Sequence, residues 1–320
     1  MKVLTVTLNP AIDKTIYVDN FELYGTNRVQ SSLETIGGKG INVSRNLRNM
    51  GMNSEILGVF AGVTGKRMTD ALVDEHYLVH EISGIGETRI NLKIVDQKGH
   101  TTELNELGPA LQDDGDILNW FKDHDFSDTL IVLSGSIPKG VSQDIYGQII
   151  NLVKKGGAKV LLDASSKGLE HGLVSVPHII KPNIDEVQYL LNIEQEPCEA
   201  ELIEFGKAQI ENGVEQVIIS LGSKGALFMS DAGIYRADGL DLISKSTVGA
   251  GDAMVASLVF SYINQEDIET LIQRAIATSG AAVETRGTNP GELKRINALM
   301  KVVRIQEMSK YENNSSKNVW

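Results

Sequence analysis

Short apolar runs rich in Val, Ile and Leu alternate along the chain with amphipathic stretches of helical length. The runs at residues 2–8, 55–60, 129–133, 159–163, 178–180 and 216–221 are predicted to be buried strands. The stretches at 42–50, 64–77, 143–155, 184–191 and 200–212 are predicted to be helices, and residues 250 to about 284 are long enough for two more. Nearly all-apolar strands separated by helices indicate a doubly wound α/β fold with a mostly parallel sheet.

Two segments do not follow this alternation of apolar runs and amphipathic stretches. Residues 15–21 and 88–104 alternate apolar and polar side chains, and the second has a turn signal at Lys98-Gly99. Such alternation is typical of half-exposed antiparallel strands. We interpret them as a small antiparallel β-sheet lid, with segments at about 12–36 and 86–107 inserted in a domain spanning 1–310; two surface hairpins without a role are the alternative. Residues 311–320 are predicted to be a polar tail.

Composition narrows the classes of partner. The formal net charge of −12 argues against nucleic acid or an anionic membrane surface, although a local cluster of Lys and Arg can still bind a small anion. Cys198 is the only cysteine, which excludes an internal disulfide and a two-cysteine metal site and fits a reducing compartment. No apolar run approaches the roughly 18 residues of a membrane span. We therefore expect a cytoplasmic protein with small-molecule ligands.

The strongest chemical signal is the run 246–252, STVGAGD, which leads into an apolar helical stretch. Small residues at 249–251 leave backbone N–H groups uncovered where a helix begins, and that arrangement suits a phosphate or a developing negative charge. Asp252 would lie in the first turn. A carboxylate beside an anion is costly unless it takes up a proton during the reaction, so a general base is the predicted role. An ordinary helix start with an acidic residue is the alternative.

Two further motifs offer contacts for a sugar. In the run 37–43, GGKGINV, glycines again precede a helix, Lys39 supplies a point charge for phosphate, and Asn42 offers a donor and an acceptor to hydroxyls. In the run 9–13, NPAID, Asp13 follows the first predicted strand, where ligands bind in open parallel sheets. A plain glycine turn and a turn-capping aspartate are the alternatives. The chain has no GxxxxGK[ST] motif, which argues against a P-loop NTPase.

Two more motifs favour a nucleotide and its metal. In the run 181–186, KPNIDE, Asn183 and Glu186 are spaced to face the same way and would orient a hydrated Mg²⁺. A helix-capping box formed by the same two residues explains the spacing equally well. The run 220–225, SLGSKG, ends a predicted strand with a glycine-rich turn. It is interpreted as a nucleotide contact or as a plain hairpin.

In this order the five motifs resemble those of the ribokinase-like (PfkB) carbohydrate kinases, over residues 1 to about 300. The resemblance implies a β-sheet lid, ATP with Mg²⁺, and Asp252 as base. Many members have Asp or Asn where Ser246 stands, which weakens a monovalent-cation or turn role there. The implied sites are an anion hole at Gly249, Ala250 and Gly251, sugar contacts at Asp13, Gly37, Gly38, Lys39 and Asn42, nucleotide contacts at Lys181, Asn183, Ser220, Gly222, Gly225, Thr247, Gly249 and Gly251, and water-mediated Mg²⁺ contacts at Asn183 and Glu186.

The cationic residues point to a phosphorylated sugar. Three cations would lie at one end of the cleft, from Arg28, Lys39 and Arg89, which is more than a neutral sugar needs. The planar guanidinium of Arg89 would bind a phosphate through two hydrogen bonds. Arginines that only solubilise the lid are the alternative. Asn91 in the run TRIN and Ser136 in SGS match the substrate side of family members that act on ketohexose phosphates. The resemblance implies conversion of fructose 1-phosphate to fructose 1,6-bisphosphate, with tagatose 6-phosphate and fructose 6-phosphate as alternatives.

Two other classes of function are weighed against this one. A non-catalytic sugar-phosphate sensor would be expected to lose the base or the anion hole, and this chain keeps both. A nucleoside or neutral-sugar kinase is disfavoured by the same three cations. Exposed lid strands invite pairing around a two-fold axis, so we predict a homodimer formed through the lid.

Overall fold

The computed structural model describes residues 1–309, and the predicted tail at 311–320 lies outside the described residues. Its strands are β1 (Lys2–Thr7), β2 (Ala11–Val18), β3 (Val29–Gly37), β4 (Glu55–Phe60), β5 (Leu78–Ser83), β6 (Arg89–Val95), β7 (Thr101–Asn105), β8 (Thr129–Gly135), β9 (Lys159–Ala164), β10 (Ile179–Ile180), β11 (Gln216–Ser220), β12 (Gly225–Ser230), β13 (Gly233–Asp238) and β14 (Ile305–Ser309). Its helices are α1 (Lys39–Asn49), α2 (Gly62–Asp74), α3 (Gly115–Lys122), α4 (Ile145–Lys155), α5 (Ser166–Val174), α6 (Ile184–Leu191), α7 (Glu199–Glu211), α8 (Ala250–Ile263), α9 (Ile268–Val283) and α10 (Leu293–Met300).

The main sheet has ten strands in the order β14-β13-β12-β11-β10-β9-β8-β1-β4-β5. Every neighbouring pair from β5 to β11 is parallel, and β12, β13 and β14 add an antiparallel edge. Parallel neighbours need crossover connections, which here carry the helices. The predicted mostly parallel, doubly wound α/β fold is confirmed. No helix within residues 1–309 is long and apolar enough to cross a membrane.

Hydrophobic cores cover both faces of this sheet. In β1, Leu4 and Val6 point into a cluster that includes side chains of α3 to α7, whereas Val3 points into a cluster formed with α1, α8 and α9. Strands buried on two faces explain why the sequence shows continuous apolar runs instead of alternation. The two layers of helices leave the carboxyl ends of the parallel strands as the place where loops can form a site.

A second sheet has four strands in the order β3-β2-β6-β7. Its outer pairs are antiparallel, as predicted, but the central pair, β2 and β6, is parallel. The register places Ile12 beside Ile90 and Asp13 beside Asn91. Because successive side chains point to opposite faces, the two isoleucines pack on α2 and the two polar residues face the other way.

Candidate active site

One cavity of about 620 Å³ lies where the carboxyl ends of β9, β10 and β11 meet the first turns of α1 and α8 and one face of the second sheet. The residues predicted as site residues that line it are Asp13, Gly38, Lys39, Asn42, Arg89, Asn91, Lys181, Asn183, Glu186, Ser220, Gly222, Gly225, Thr247, Gly249, Ala250, Gly251 and Asp252. Arg28, Gly37 and Ser136 do not line it. Arg28 is exposed in the loop before β3. Gly37 packs under Asp13, and Ser136 accepts a hydrogen bond from Asn9.

The first turn of α8 is shaped by Gly249. This residue has a φ of 85°, in the left-handed region that favours glycine, and a Cβ there would lie 3.2 Å from the Cα of Thr288. The turn that follows consists of Ala250, Gly251 and Asp252, and its N–H groups have no carbonyl partner inside the helix. An anion in the cavity would therefore meet free donors and the positive end of the helix dipole.

Asp252 is the buried carboxylate of this turn, with 7% of its surface exposed. Nδ2 of Asn42 donates a hydrogen bond of 2.8 Å to its Oδ2. Burial raises the pKa of Asp252 to about 6, and the charge of Asp163 adds to this rise, while Lys39, Asn42 and Lys181 oppose it. A carboxylate with a pKa close to neutrality is a better proton acceptor than an ordinary aspartate and is still ionised at physiological pH.

Asp163 is a functional candidate that the motifs did not identify. It lies near the end of β9 with a buried side chain, and its Oδ1 is 3.1 Å from Nζ of Lys181 while its Oδ2 is 3.4 Å from Nζ of Lys39. Burial by itself would lower the pKa of Lys39, but the carboxylates of Asp163, Glu186 and Asp252 outweigh it and raise that pKa. Lys39 is therefore held as a cation. The signal that would have found Asp163 is its place near the carboxyl end of a predicted strand, the criterion that identified Asp13.

Asn183 and Glu186 form the capping box of α6. The backbone N–H of Asn183 donates to Oε2 of Glu186 over 2.9 Å, and the N–H of Glu186 donates to Oδ1 of Asn183 over 2.8 Å. The interpretation of Asn183 and Glu186 as a helix-capping box is thus confirmed, and the same two residues also line the cavity. Burial raises the pKa of Glu186, as does the charge of Asp163, and the cations of Lys39 and Lys181 oppose the rise.

The turn predicted as a nucleotide contact is also a hairpin. Ser220 ends β11, Gly222 lies in the connection and Gly225 begins the antiparallel strand β12. All three residues line the cavity. Sequence reasoning missed the apolar part of the cavity, which suits a flat aromatic base. It is formed by residues from the segment after β13 and from α9, which no local motif connects: Leu240, Leu242, Ile276 and Val283.

The opposite part of the cavity is polar. Nδ2 of Asn91 donates to Oδ1 of Asp13 over 3.0 Å, an arrangement set by the parallel pairing of β6 with β2. Burial raises the pKa of Asp13, and Asn91, Lys93 and Arg89 oppose the rise. Nη2 of Arg89 donates to the carbonyl of Asn9 over 3.0 Å, and Arg89 lines the cavity. Carboxylate, amide and guanidinium groups together suit a hydroxylated, anionic ligand.

This arrangement supports proton transfer from an alcohol to Asp252 beside donors that hold an anion. The apolar part suits a base, and the polar part suits a sugar carrying negative charge. Within residues 1–309 no cluster of three or more His, Cys, Asp or Glu side chains forms a metal cage.

Comparison with known proteins gives consistent matches. The model of the pfkB family of carbohydrate kinases matches residues 6–295, a stretch that contains every residue lining the cavity. A tagatose-6-phosphate kinase from Staphylococcus epidermidis is 34% identical over 283 residues, covering 86% of this chain and 90% of the relative. A 1-phosphofructokinase from Borreliella burgdorferi is 32% identical over 309 residues, covering 96% and 99%. The solved structure of phosphofructokinase-2 from Escherichia coli in complex with potassium has a TM-score of 0.87 at 25% identity, covering 94% and 98%.

Proposed function

From the premise that this chain belongs to the pfkB family of carbohydrate kinases, we propose that it transfers the γ-phosphoryl group of ATP to a ketohexose phosphate. Membership of a kinase family implies ATP as the phosphoryl donor. Fructose 1-phosphate is the proposed acceptor and fructose 1,6-bisphosphate the product. Relatives named as 1-phosphofructokinase and as tagatose-6-phosphate kinase support a phosphorylated ketohexose as the substrate class.

The observation that carries the proposal is the position of Asp252 in the first turn of α8, in one cavity with Asp13 and Arg89. In the proposed reaction Asp252 accepts the proton of the sugar hydroxyl as that oxygen attacks the γ-phosphorus and the bond to the ADP oxygen breaks. Charge spreading over the phosphoryl oxygens is held by the N–H groups of residues 249–251 and by Lys39. Preorganised donors of this kind are commonly the largest contribution to such catalysis.

The sugar phosphate is assigned to the polar part of the cavity. Arg89 lines the cavity, and the hydrogen bond of its guanidinium to the described residues uses Nη2 alone, so donors remain for a phosphate. Asp13 and Asn42 are proposed to bind hydroxyl groups, because both are polar residues that line the cavity.

Mg²⁺ accompanies ATP in this proposal. The carboxylate of Asp163 lines the cavity together with Asn183 and Glu186, and carboxylate oxygens are ligands that Mg²⁺ prefers. Asp163 would hold the ion together with Asn183 and Glu186, the latter two through water. When bound, the ion supplies neutralisation of phosphate charge.

A coupled ADP-release assay with MgATP tests the proposed function. Fructose 1-phosphate, tagatose 6-phosphate and fructose 6-phosphate are compared in parallel under the same conditions. We expect kcat/KM to favour fructose 1-phosphate by about tenfold or more, which corresponds to about 1.4 kcal/mol of transition-state discrimination. A preference for either 6-phosphate would keep the kinase and overturn the substrate. Absence of turnover with all three, together with tight binding of a sugar phosphate by calorimetry, would support a sensor instead.

A homodimer formed through the second sheet is also proposed. Tyr17 and Leu33 lie on the same side of that sheet as Asp13 and are 37% and 36% exposed. A second copy covering them would bury apolar surface that a monomer leaves in water. Sedimentation equilibrium should give twice the chain mass of 34.8 kDa for the natural protein and the single-chain mass for Leu33→Asp. Leu78→Asp, on the edge strand of the main sheet, is the control expected to remain dimeric.

A further inference from the structure

Arg89 is the first residue of β6, and the residue before it is fastened to the main domain. The N–H of Ala61 donates to Oγ1 of Thr88 over 2.8 Å, and the N–H of Thr88 donates to the carbonyl of Ala61 over 3.0 Å. Thr88 is 1% exposed. Main chain and side chain of Thr88 are therefore both bound to the residue that precedes α2.

Glu87 strengthens the same attachment. Its two carboxylate oxygens accept hydrogen bonds from the N–H groups of Val63 and Thr64 over 3.1 and 3.0 Å. These are N–H groups in the first turn of α2, which have no carbonyl partner inside the helix. The same hydrogen bonds, from Thr64 and Val63, hold the pKa of Glu87 below its ordinary value.

The start of α2 is shaped to receive these two residues. Gly62 has a φ of 65°, and a Cβ there would collide with the carboxylate of Glu87. A Cβ at Gly65 would lie 2.8 Å from Oγ1 of Thr88. Close approach of the segment 87–88 therefore depends on glycine at both positions, and we call this arrangement of residues 61–65 with Glu87 and Thr88 the clamp.

The clamp can influence the cavity only through Arg89, the residue that follows Thr88. Glu87 and Thr88 do not line the cavity, whereas Arg89 does, and the guanidinium of Arg89 is held at its far end by the carbonyl of Asn9. We infer that Thr88 is a positioning residue for Arg89: it fixes the start of β6 so that the guanidinium meets the phosphate of the sugar phosphate. This inference rests on the proposed function, in which Arg89 binds that phosphate.

Kinetics of three variants test the inference, with fructose 1-phosphate and ATP each varied in turn while the other is saturating. Thr88→Val keeps the shape and removes the acceptor for the N–H of Ala61, Thr88→Ser keeps the hydroxyl, and Thr101→Val makes the same change at an exposed position of β7. Loss of a buried hydrogen bond of this kind is expected to raise the KM for fructose 1-phosphate by about tenfold in Thr88→Val, with the KM for ATP changed by less than about twofold. Thr88→Ser and Thr101→Val should stay close to the natural protein.

A second measurement separates positioning from stability. If Thr88 acts through Arg89, adding Thr88→Val to Arg89→Ala should change kcat/KM by less than about twofold, because the group it positions is already gone. A lowered Tm with both KM values unchanged would overturn the inference and leave the clamp as a structural cap. If Thr88→Val does not fold, Glu87→Gln, which keeps one acceptor oxygen, should raise the same KM in the same direction, and an unchanged KM would overturn the inference. Absence of turnover in the natural protein would instead overturn the proposed function.

Discussion

Nδ2 of Asn42 lies 2.8 Å from Oδ2 of Asp252, and this hydrogen bond joins the first turns of α1 and α8. Each helix begins after a glycine with positive φ, Gly38 at 124° and Gly249 at 85°. The two residues are 210 positions apart in the chain, yet one orients the other. One carboxylate oxygen of the proposed base is thereby fixed by the protein, which restricts the directions from which a substrate hydroxyl can reach it.

Replacing Asp252 with Asn should abolish most of the turnover. The amide cannot accept the proton of the attacking hydroxyl, and general-base catalysis contributes about 10²- to 10⁴-fold. Binding of the sugar phosphate should be nearly unchanged, since Arg89 and Asp13 are untouched. The coupled assay and calorimetry measure the two effects, with Asp231→Asn at an exposed site as the control. Near-natural turnover in Asp252→Asn would remove Asp252 from the mechanism.

The same substitution should stabilise the fold at neutral pH. Because the pKa of Asp252 rises from 3.8 to about 6 on folding, its contribution to stability is complete below about pH 4 and is lost as pH rises through 6. Asn carries no charge to desolvate at any pH. Thermal unfolding should therefore show a higher Tm for Asp252→Asn than for the natural protein at about pH 8, with the difference shrinking towards pH 4. A difference that does not depend on pH would contradict a raised pKa at this residue.

The pH dependence of turnover should report the same group. A base must be deprotonated to act, so kcat/KM is expected to rise with pH through about 6 and to level off above it. The measured quantity is kcat/KM for ATP with the sugar phosphate saturating, because kcat/KM reflects ionisation before ATP binds, when Asp252 still faces an open cavity. The acidic limb should disappear in Asp252→Asn. A flat profile between about pH 5 and pH 8 in the natural protein would argue for another base.

Asp163→Asn is expected to cost both stability and activity. Asp163 is the buried counter-ion of Lys39 and Lys181, and removing one partner of a buried ion pair typically costs about 3–5 kcal/mol. Urea unfolding measures the loss. Asp70→Asn breaks the exposed ion pair with Lys66 and should cost less than about 1 kcal/mol. Equal losses in the two variants would show that Asp163 is not an important counter-ion.

Gly37→Ala should weaken binding of the sugar. A Cβ at Gly37 would collide with Oδ2 of Asp13, so the carboxylate would have to leave the position that its hydrogen bond with Asn91 defines. We expect the KM for the ketohexose phosphate to rise by about tenfold, in line with the loss of one hydrogen bond to a charged group. Gly156→Ala, after α4, introduces a Cβ that meets only ordinary contact distances. A KM in Gly37→Ala equal to that of the control would mean that Asp13 does not bind the sugar.

Several helices and strands could be predicted from local patterns in the sequence. The predicted helix at 184–191 coincides with α6, and the helix predicted at 42–50 was placed three residues late, since α1 begins at Lys39 directly after Gly38. Apolar periodicity and glycine turns are local signals, so they survive in the sequence. Strands β5, β12, β13 and β14 of the main sheet were not predicted. β12 is a buried apolar run that the same criterion could have found, whereas β5, β13 and β14 mix apolar and polar residues.

Only some residues of the candidate site could be predicted from the sequence. Glycine turns and strand ends identified Asp252, Asn42 and Asp13 as candidates, but Asp163 and the apolar residues of α9 carry no motif. Lys39 and Asp163 are 124 positions apart, and no periodicity links them. The parallel pairing that puts Asn91 beside Asp13 was likewise missed, since alternation shows which side chains share a face and not which strand lies alongside.

By itself the sequence determined the class of fold and the kinds of chemical group available: buried strands, helices that start at glycines, one acidic residue in the first turn of α8, and cations for an anionic ligand. The tertiary structure decided which groups meet. It brought Asn42 into hydrogen-bonding distance of Asp252 and placed Asp163 between Lys39 and Lys181. It also buried Asp252, which raises the pKa of that carboxyl to about 6. Secondary structure follows local periodicity, whereas a pKa follows burial and distances between charges that only long-range packing creates.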